Sequence, residues 1–232
     1  MVNEEQFARF DQLVGQEKRQ SLASKTVAIF GLGGVGSAAV LALARAGIGN
    51  FYLFDFDEIE LSNINRQLLA FHSTVGKAKV ETMQNLLLDI NPATNIYGFN
   101  LFIDEVWLIN ADFSSFDYVV DAIDTLKSKI ALIVKSKNTD TPIISAMGAG
   151  NRLDPSMLRI MDIFTTKDDP FAKIVRTQCR KNNIAQLTVA TSLEKPRDVH
   201  QRTPASSPFV PPAMGLLIAS YIVTDLLKEE TK

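Results

Sequence analysis

A glycine-rich turn between an apolar run and a helical segment limits the possible folds of this chain more than any other feature. Thr26 to Phe30 run directly into Gly31-Leu32-Gly33-Gly34-Val35-Gly36. The segment from Val35 to Ala46 is rich in alanine and leucine, which favours a helix that stops at Gly47. A G-x-G-x-x-G turn after a strand lets the backbone approach a phosphate, whose charge then meets the helix amino terminus. The pattern predicts a nucleotide-binding α/β fold.

Apolar runs and helical segments alternate as far as residue 145, which predicts a Rossmann-like, doubly wound, mainly parallel sheet. The expected strands after the turn are Phe51–Phe54, Ile96–Phe99, Tyr118–Val120 and Ile143–Ser145, with helices at about Lys77–Ile90 and Leu126–Lys137. The pattern changes after residue 150, where strands Arg159–Ile163 and Leu187–Thr191 surround a helix Pro170–Lys181 and a last helix covers Ala213–Lys228. We expect residues 1–150 to form the nucleotide-binding region with short amino-terminal helices, and residues 151–232 an α+β elaboration of the same domain.

The composition argues against several classes of protein. The chain has 232 residues, a formal net charge of −2, one cysteine and two histidines, His72 and His200. Disulfides and a clustered zinc site are therefore not expected, and no overall basic field indicates a nucleic-acid binder. The longest apolar run, Ala213 to Val223, is shorter than the roughly 20 residues of a membrane span. We expect a soluble, cytoplasmic protein.

The polar residues that follow the second strand favour a nucleoside triphosphate as the ligand. Asp55 lies about twenty residues after the turn, where an acidic side chain binds ribose hydroxyls. Arg66 and Lys79 can neutralise phosphate oxygens, and Asn63 and Asn65 can orient them. Asp124, at the end of a later strand, can hold a Mg²⁺ ion that bridges those oxygens. The set predicts an ATP site.

These segments resemble the ThiF/MoeB/HesA superfamily, the relatives of ubiquitin-activating enzymes, from about Gln6 to Lys228. The resemblance is carried by Gly31–Ser37, Asp55–Asp57, Ser62–Gln67, Val75–Lys79 and Asp121–Asp124. It implies that ATP and Mg²⁺ are bound and that a substrate carboxylate attacks the α-phosphate to give an acyl-adenylate. The residues implied to bind the nucleotide are Gly31, Gly33, Gly34, Asp55, Asp57, Asn63, Asn65, Arg66, Lys79 and Asp124, with Asp124 as the metal ligand. The residues implied to act in catalysis are Arg66, Lys79, Asp124 and Arg9.

Within the superfamily, the chain is most similar to the branch whose members dehydrate threonylcarbamoyladenosine beside the tRNA anticodon. The segments that carry this likeness include Asn65–Gln67, Ile90–Pro92, Gly148–Pro155, Asp169–Ala172 and Ser207–Pro211. The resemblance implies a homodimer in which Arg9 reaches the partner subunit's ATP, and tRNA carrying threonylcarbamoyladenosine as the substrate. The superfamily's preceding arginine is replaced by Gln6 here.

Cysteine usage and local charge also bear on the substrate. Enzymes of this kind that form a thioester or persulfide need a nucleophilic cysteine in the loop before the last helix, and this chain has none there. We interpret Cys179 as an apolar helix residue. Residues 167–202 carry eight basic and four acidic side chains, a net charge of +4 that is a candidate tRNA surface. The lysines at 127, 129, 135 and 137 are interpreted as surface charges.

Three other functions stay open on the sequence. The same adenylation chemistry can activate the carboxyl terminus of a ubiquitin-like sulfur-carrier protein. A nicotinamide-dependent oxidoreductase would account for the glycine turn and Asp55, but would leave Arg66 and Lys79 without a use. A non-catalytic Rossmann-type module is the third.

Overall fold

The fold is a seven-stranded, mainly parallel sheet covered by helices on both faces. The computed structural model describes residues 4–199 and 203–229. The strands are β1 (Thr26–Phe30), β2 (Asn50–Asp55), β3 (Asn95–Asn100), β4 (Tyr118–Asp121), β5 (Ile143–Ala146), β6 (Leu158–Asp162) and β7 (Thr188–Ser192). Their order is β3-β2-β1-β4-β5-β7-β6, and only β6 runs antiparallel to its neighbour. The predicted doubly wound α/β fold is confirmed.

The helices follow the predicted alternation and add one element. They are α1 (Ala8–Val14), α2 (Gln16–Ser21), α3 (Gly34–Ala46), α4 (Lys79–Ile90), α5 (Glu105–Asn110), α6 (Leu126–Asn138), α7 (Pro170–Lys181) and α8 (Val210–Glu229). The sequence interpretation did not include α5. Its amino terminus is capped by Asp104, whose Oδ1 accepts a hydrogen bond from the Trp107 amide at 2.8 Å.

Two apolar clusters pack on the two faces of the sheet. One contains residues of α3, α4 and α8, including Leu43, Met83 and Ile218, and the other contains residues of α5, α6 and α7. Helices α3 and α8 approach closely at Gly215, where a Cβ would overlap the carbonyl oxygen of Val35. This contact fixes the start of α8 beside the start of α3.

The last helix is longer than predicted, since it begins at Val210 rather than at Ala213. Pro211 and Pro212 fall in its first turn, where the missing N–H groups cost nothing. The window Val210–Lys228 is long and apolar enough to cross a membrane by length and composition alone, unlike the shorter run considered above. Half of that window is buried inside the molecule, as expected for a core helix.

Lys129 is a correction to the sequence interpretation, which placed it among surface charges. Its side chain is 0% exposed, whereas Lys127 on the same helix is 82% exposed. The Lys129 Nζ donates hydrogen bonds to Asp121 Oδ2 at 2.7 Å, Ala146 O at 3.0 Å and Ser145 Oγ at 3.2 Å. The ammonium group therefore holds the carboxyl ends of β4 and β5 together from within the core.

Candidate functional site

A cavity of about 510 Å³ opens at the carboxyl ends of β1, β2 and β4. This volume is in the range of small-molecule binding sites, and the edge of the sheet is where open α/β folds bind ligands. Every residue predicted to bind the nucleotide lines this cavity, except Asn65. The lining residues from that set are Gly31, Gly33, Gly34, Asp55, Asp57, Asn63, Arg66, Lys79 and Asp124.

The glycines of the turn have different structural requirements. Gly31 has a φ of +93°, and a Cβ there would lie 2.6 Å from the carbonyl oxygen of Ala122, so both backbone conformation and space demand glycine. A Cβ on Gly34 would lie 2.9 Å from the Pro211 Cβ, which makes this glycine a packing position against α8. Gly33 faces open space, because apart from its own chain neighbours no atom of the described residues lies closer than 4.0 Å to its Cβ position. Gly33 is therefore where a ligand can reach the backbone.

Gly33 is also the residue before α3, and the first amide groups of a helix have no intrahelical partner. Those amide groups and the helix dipole favour an anion at this point. The turn, Gly33 and the start of α3 together therefore present to the cavity the backbone amides and the positive dipole end that favour an anion.

Asp55 is hydrogen-bonded to the glycine turn and to the segment that follows β2. Its Oδ2 accepts a hydrogen bond from the Leu32 amide at 2.6 Å and its Oδ1 accepts one from the Asp57 amide at 2.9 Å. Burial raises the pKa of Asp55, while the nearby Lys79 and the two backbone hydrogen bonds lower it. The carboxylate is held directly beside the glycine turn.

Lys79 is a buried cation between two carboxylates. It is the first residue of α4, and its Nζ lies 2.6 Å from Asp57 Oδ2 and 3.9 Å from Asp55 Oδ1. An ammonium group has three donors. Asp57 occupies one of them, so further donors are available to a phosphate that enters the cavity.

The two asparagines predicted to orient phosphates have protein partners instead. Asn63 Oδ1 accepts from the Glu60 amide at 3.1 Å, and its Nδ2 donates to Ser62 Oγ at 3.3 Å, which stabilises the turn at residues 60–63. Asn65 lies outside the cavity and donates from Nδ2 to the carbonyl oxygen of Ser206 at 3.0 Å. Both side chains shape the segment that carries Arg66.

Arg66 lines the cavity, and NH1 is the part of its guanidinium group that bonds to other described residues. Its NH1 donates to Ser62 O at 3.0 Å and to Asn65 Oδ1 at 2.8 Å. The Nε and NH2 groups make no hydrogen bond within the described part of the chain. Arg66 is thus oriented by its neighbours and keeps free donors for an anion.

Gln67 lines the cavity as well, and it was not among the predicted site residues. Its side chain is buried, and its Oε1 has no hydrogen-bond partner among the residues that the structure describes. In the sequence, Gln67 follows Arg66 directly and belongs to a segment that carries the family resemblance. Nothing in the sequence distinguishes its role from the roles of Asn63 and Asn65.

Asp124 is exposed at the cavity, just beyond the end of β4. Its carboxylate accepts no hydrogen bond within the described ranges. No group of three His, Cys, Asp or Glu side chains in residues 4–199 and 203–229 could hold a metal ion by itself. A single free carboxylate is nevertheless the donor set that Mg²⁺ uses when the other ligands are phosphate oxygens and water.

The buried Lys129 supports the turn that carries Asp124. Asp121 Oδ2 is held by Lys129 and by the Ser145 hydroxyl, while its Oδ1 accepts from the Ile123 amide at 3.2 Å. Burial lowers the pKa of Lys129, and the charges of Asp121 and Asp124 oppose that shift. The backbone before Asp124 is therefore fixed by a polar cluster inside the core.

Arg9 and Cys179 both lie away from the cavity. Arg9 is exposed on α1 and does not line it. Cys179 is buried in the apolar cluster beneath α7, and burial raises the pKa of its thiol to about 11. A thiol in this environment is not a nucleophile at neutral pH.

The basic side chains of residues 167–202 divide into two groups. Arg176 is engaged by Thr166, to whose carbonyl and hydroxyl oxygens its NH1 donates at 2.7 Å. Arg202 lies outside the described residues, as does His200. The remaining side chains are exposed on α7 and the loops beside it: Lys167, Lys173, Arg180, Lys181, Lys195 and Arg197.

Comparison with known proteins places this site in context. The family model described as the ThiF family matches residues 5–232. The chain is 40% identical to the tRNA threonylcarbamoyladenosine dehydratase of Bacillus subtilis (strain 168), over 97% of this chain and 95% of that protein. The crystal structure of the E. coli enzyme of that name, TcdA, in complex with ATP is similar with a TM-score of 0.92 and 28% identity, over 98% of this chain and 96% of that one.

A sulfur-pathway relative is similar over a smaller part of the chain. Molybdopterin-synthase adenylyltransferase of E. coli (strain K12) is 36% identical over 65% of this chain and 57% of its own length.

Proposed function

Because this chain belongs to the ThiF family, we propose that it is an ATP-dependent tRNA threonylcarbamoyladenosine dehydratase. The observation that carries the proposal is the convergence of the glycine turn, Asp55, Arg66, Lys79 and Asp124 on one cavity. The similarity to the Bacillus subtilis dehydratase over nearly the whole of both chains supports the choice of substrate.

The proposed nucleotide position follows from the contacts of the site. Asp55 accepts hydrogen bonds from the ribose hydroxyls, and the ribose then lies beside the turn that Asp55 already contacts through Leu32. The α-phosphate lies at Gly33 and the start of α3, where backbone amides meet its charge. Arg66 and Lys79, which also line the cavity, neutralise the phosphate oxygens.

The site also fits a Mg²⁺ ion. Asp124 would hold it, because its carboxylate is exposed to the cavity and makes no hydrogen bond among the described residues. When bound, Mg²⁺ neutralises negative charge on the phosphate oxygens. The protein's own share is to keep Asp124 in place through Asp121 and Lys129.

The reaction needs no nucleophile from the protein. An oxygen of the substrate carboxylate attacks the α-phosphorus, the bond to the pyrophosphate oxygen breaks, and an acyl-adenylate and pyrophosphate result. The carbamoyl group of the same substrate then attacks the acyl carbon, loses a proton and releases AMP, which carries away the carboxylate oxygen. The protein contributes positioning and charge stabilisation. The buried Cys179 is consistent with this sequence of steps.

The proposal includes a homodimer in which Arg9 completes the partner's site, because Arg9 is exposed on α1 away from its own cavity. Mixing Arg9→Ala with Lys79→Ala subunits tests this. If Arg9 acts in trans, each mixed dimer has one intact site, and a statistical mixture regains about a quarter of wild-type activity. If Arg9 acts in its own subunit, the mixture regains no activity.

We further propose that residues 151–232 elaborate the domain formed by residues 1–150, because β7 is hydrogen-bonded to β5 within the same sheet. The tRNA surface is assigned to the exposed basic side chains of α7 and the loop near Lys195. If these side chains contact phosphates, tRNA affinity will fall steeply as salt is raised. The proposal includes a cytoplasmic location, because the proposed substrate is a tRNA.

Mass spectrometry of nucleosides tests the function. tRNA carrying threonylcarbamoyladenosine is incubated with the protein, ATP and Mg²⁺, then digested. We expect the modified nucleoside to lose one water, with AMP and pyrophosphate released in equal amounts. Pyrophosphate release with a purified sulfur-carrier protein, without any change in the tRNA nucleoside, would instead support activation of a carrier protein. Arg66→Ala should abolish the expected reaction, and full activity of that variant would contradict the assigned site.

A further inference from the structure

Arg152 is a buried cation close to the cavity, and the steps proposed above give it no role. Its side chain is 2% exposed, and its NH2 group lies 3.5 Å from Oδ2 of the equally buried Asp169. Asp169 also caps α7, because its Oδ1 accepts a hydrogen bond from the Phe171 amide at 2.9 Å. A buried charge is costly unless it is paired and hydrogen-bonded. The remaining contacts of the guanidinium group therefore indicate what it holds.

The guanidinium group of Arg152 donates to three backbone carbonyl oxygens. Its Nε donates to Glu194 O at 2.9 Å, and its NH1 donates to Gly150 O at 3.3 Å and to Gly148 O. A Cβ on Gly148 would lie 3.1 Å from NH1, so the backbone at this residue packs directly against the guanidinium group. Arg152 therefore fixes the direction of the carbonyl groups in the loop that follows β5.

The backbone amide of Ala149 is oriented by this arrangement. The peptide bond between Gly148 and Ala149 is trans, so its N–H points away from the carbonyl oxygen that Arg152 binds. Ala149 lines the cavity, and its N–H makes no hydrogen bond within residues 4–199 and 203–229. The cavity wall thus contains a backbone donor that has a fixed direction and no protein partner.

The Ala149 amide lies at the opposite end of the cavity from the proposed ribose position. The neighbouring strands are β2, β1, β4 and β5 in that order, with Asp55 at the end of β2, Asp124 after β4 and Ala149 after β5. The cationic side chains in the described lining are Arg66 and Lys79. Lys79 is on the β2 side, because its Nζ lies 3.9 Å from Asp55 Oδ1. An anion at the β5 end is therefore bound by uncharged donors.

The geometry of displacement at phosphorus assigns the two ends of the cavity. The attacking and leaving oxygens lie roughly in line, on opposite sides of the phosphorus. Pyrophosphate leaves toward the positive charges of Arg66 and Lys79, so the substrate carboxylate approaches from the β5 end. We propose that this carboxylate accepts a hydrogen bond from the Ala149 amide, and that Arg152 is the positioning residue that orients the amide. The proposal rests on the proposed use of ATP and of tRNA carrying threonylcarbamoyladenosine.

The double variant Arg152→Met/Asp169→Asn separates positioning from ion pairing. It removes both buried charges and keeps a cap on α7, because asparagine caps helices as well as aspartate does. The kcat for dehydration of modified tRNA should fall about 10- to 100-fold, the value of a hydrogen bond to a charged group. The KM for tRNA and the affinity for ATP, measured by isothermal titration, should stay within about twofold of wild type. If Arg152 served only to pair with Asp169, the double variant would have the wild-type kcat.

Arg152→Lys keeps a cation beside Asp169, but its single nitrogen cannot reach all three carbonyl oxygens, so its kcat should lie between those of wild type and the double variant. It decides by the same criteria if the double variant does not fold. Arg159→Met makes the same chemical change at an exposed position on β6 and should leave kcat, KM and ATP affinity unchanged.

A wild-type kcat in the folded double variant overturns the proposal. A loss of ATP affinity as large as the loss of kcat also overturns it, because the amide would then serve the nucleotide. Dehydration of tRNA by the wild-type protein is measured in parallel. If it proceeds while the double variant is fully active, only this inference fails, whereas a wild type that does not dehydrate the tRNA refutes the proposed function as well.

Discussion

The buried pair of Lys129 and Asp121 allows a quantitative test of what holds the site together. Both side chains are 0% exposed, and the Lys129 Nζ makes hydrogen bonds to Asp121, Ser145 and Ala146. Lys129→Met keeps an unbranched side chain that is one atom shorter, and it removes the charge and all three donors. Asp121 is then left as a buried carboxylate without its counter-ion.

Removing one partner of a buried ion pair costs about 3–5 kcal/mol. Domains are stable by only about 5–15 kcal/mol, so this is a large fraction of the total. For a chain of this size, a loss of 1 kcal/mol lowers the melting temperature by about 2–4 °C. Lys129→Met should therefore lower it by about 6–20 °C.

Urea unfolding, followed by circular dichroism, measures the free energy of unfolding for wild type and variants. Lys127→Met is the matched control, because Lys127 is on the same helix but 82% exposed, and its change should stay within about 0.5 kcal/mol. Adding Asp121→Asn to Lys129→Met should recover about 1 kcal/mol or more, because the buried charge is gone. A loss below about 1 kcal/mol for Lys129→Met, with an unchanged urea dependence, would refute this account of the pair.

Three further predictions concern Cys179, Asp55 and the glycine turn. Burial raises the pKa of Cys179 to about 11, so iodoacetamide at pH 8 should label it only after unfolding, and rapid labelling of the native protein would contradict its burial. Burial also raises the pKa of Asp55, so ATP affinity should begin to fall on acidification at a pH where exposed carboxylates are still ionised. The free energy of unfolding should change in the opposite direction, because protonation of Asp55 in the folded state stabilises the protein as pH falls through its folded pKa. If ATP binding to Asp55→Asn shows the same pH dependence as wild type, this prediction is wrong. Gly36→Ala should unfold the turn and lower the melting temperature, because its Cβ would overlap the Gly31 carbonyl oxygen. Gly33→Ala should keep the wild-type melting temperature and lose ATP affinity. Equal melting temperatures for the two variants would show that this packing argument is wrong.

The fold was predictable because its strongest signals are local. The glycine turn, the apolar runs and the helical segments each occupy a few consecutive residues, and their alternation implies parallel strands. The predicted α7, Pro170–Lys181, has the observed limits, since Asp169 caps it and proline starts it. Helix α5 was missed because six residues are too few to show helical periodicity.

The composition of the cavity was predictable for a different reason. Residues that follow parallel strands meet at one edge of the sheet, so Asp55 and Asp124 were expected to lie together. The roles within the segment at 63–67 were not predictable, because they depend on distant partners. Asn65 does not line the cavity, and its side chain donates a hydrogen bond to the carbonyl oxygen of Ser206, which is 141 residues away in the sequence. The free amide of Gln67 became evident only when the partners of the two asparagines were known.

The burial of Lys129 could have been predicted from the spacing of its neighbours along the helix. Residues three and four apart share one face of a helix. The neighbours of Lys129 at those distances are Leu132 and Ile133, both fully buried, and the same face continues to the buried Ser136. The corresponding positions from Lys127 are Ile130 and Ala131, which are only partly buried. A lysine on an apolar helix face needs a carboxylate inside the core, because its charge is otherwise unpaired. Asp121 ends a strand whose four residues are all buried, so its charge needs a cation. A buried lysine that needs a carboxylate and a buried carboxylate that needs a cation together indicate the Lys129–Asp121 ion pair.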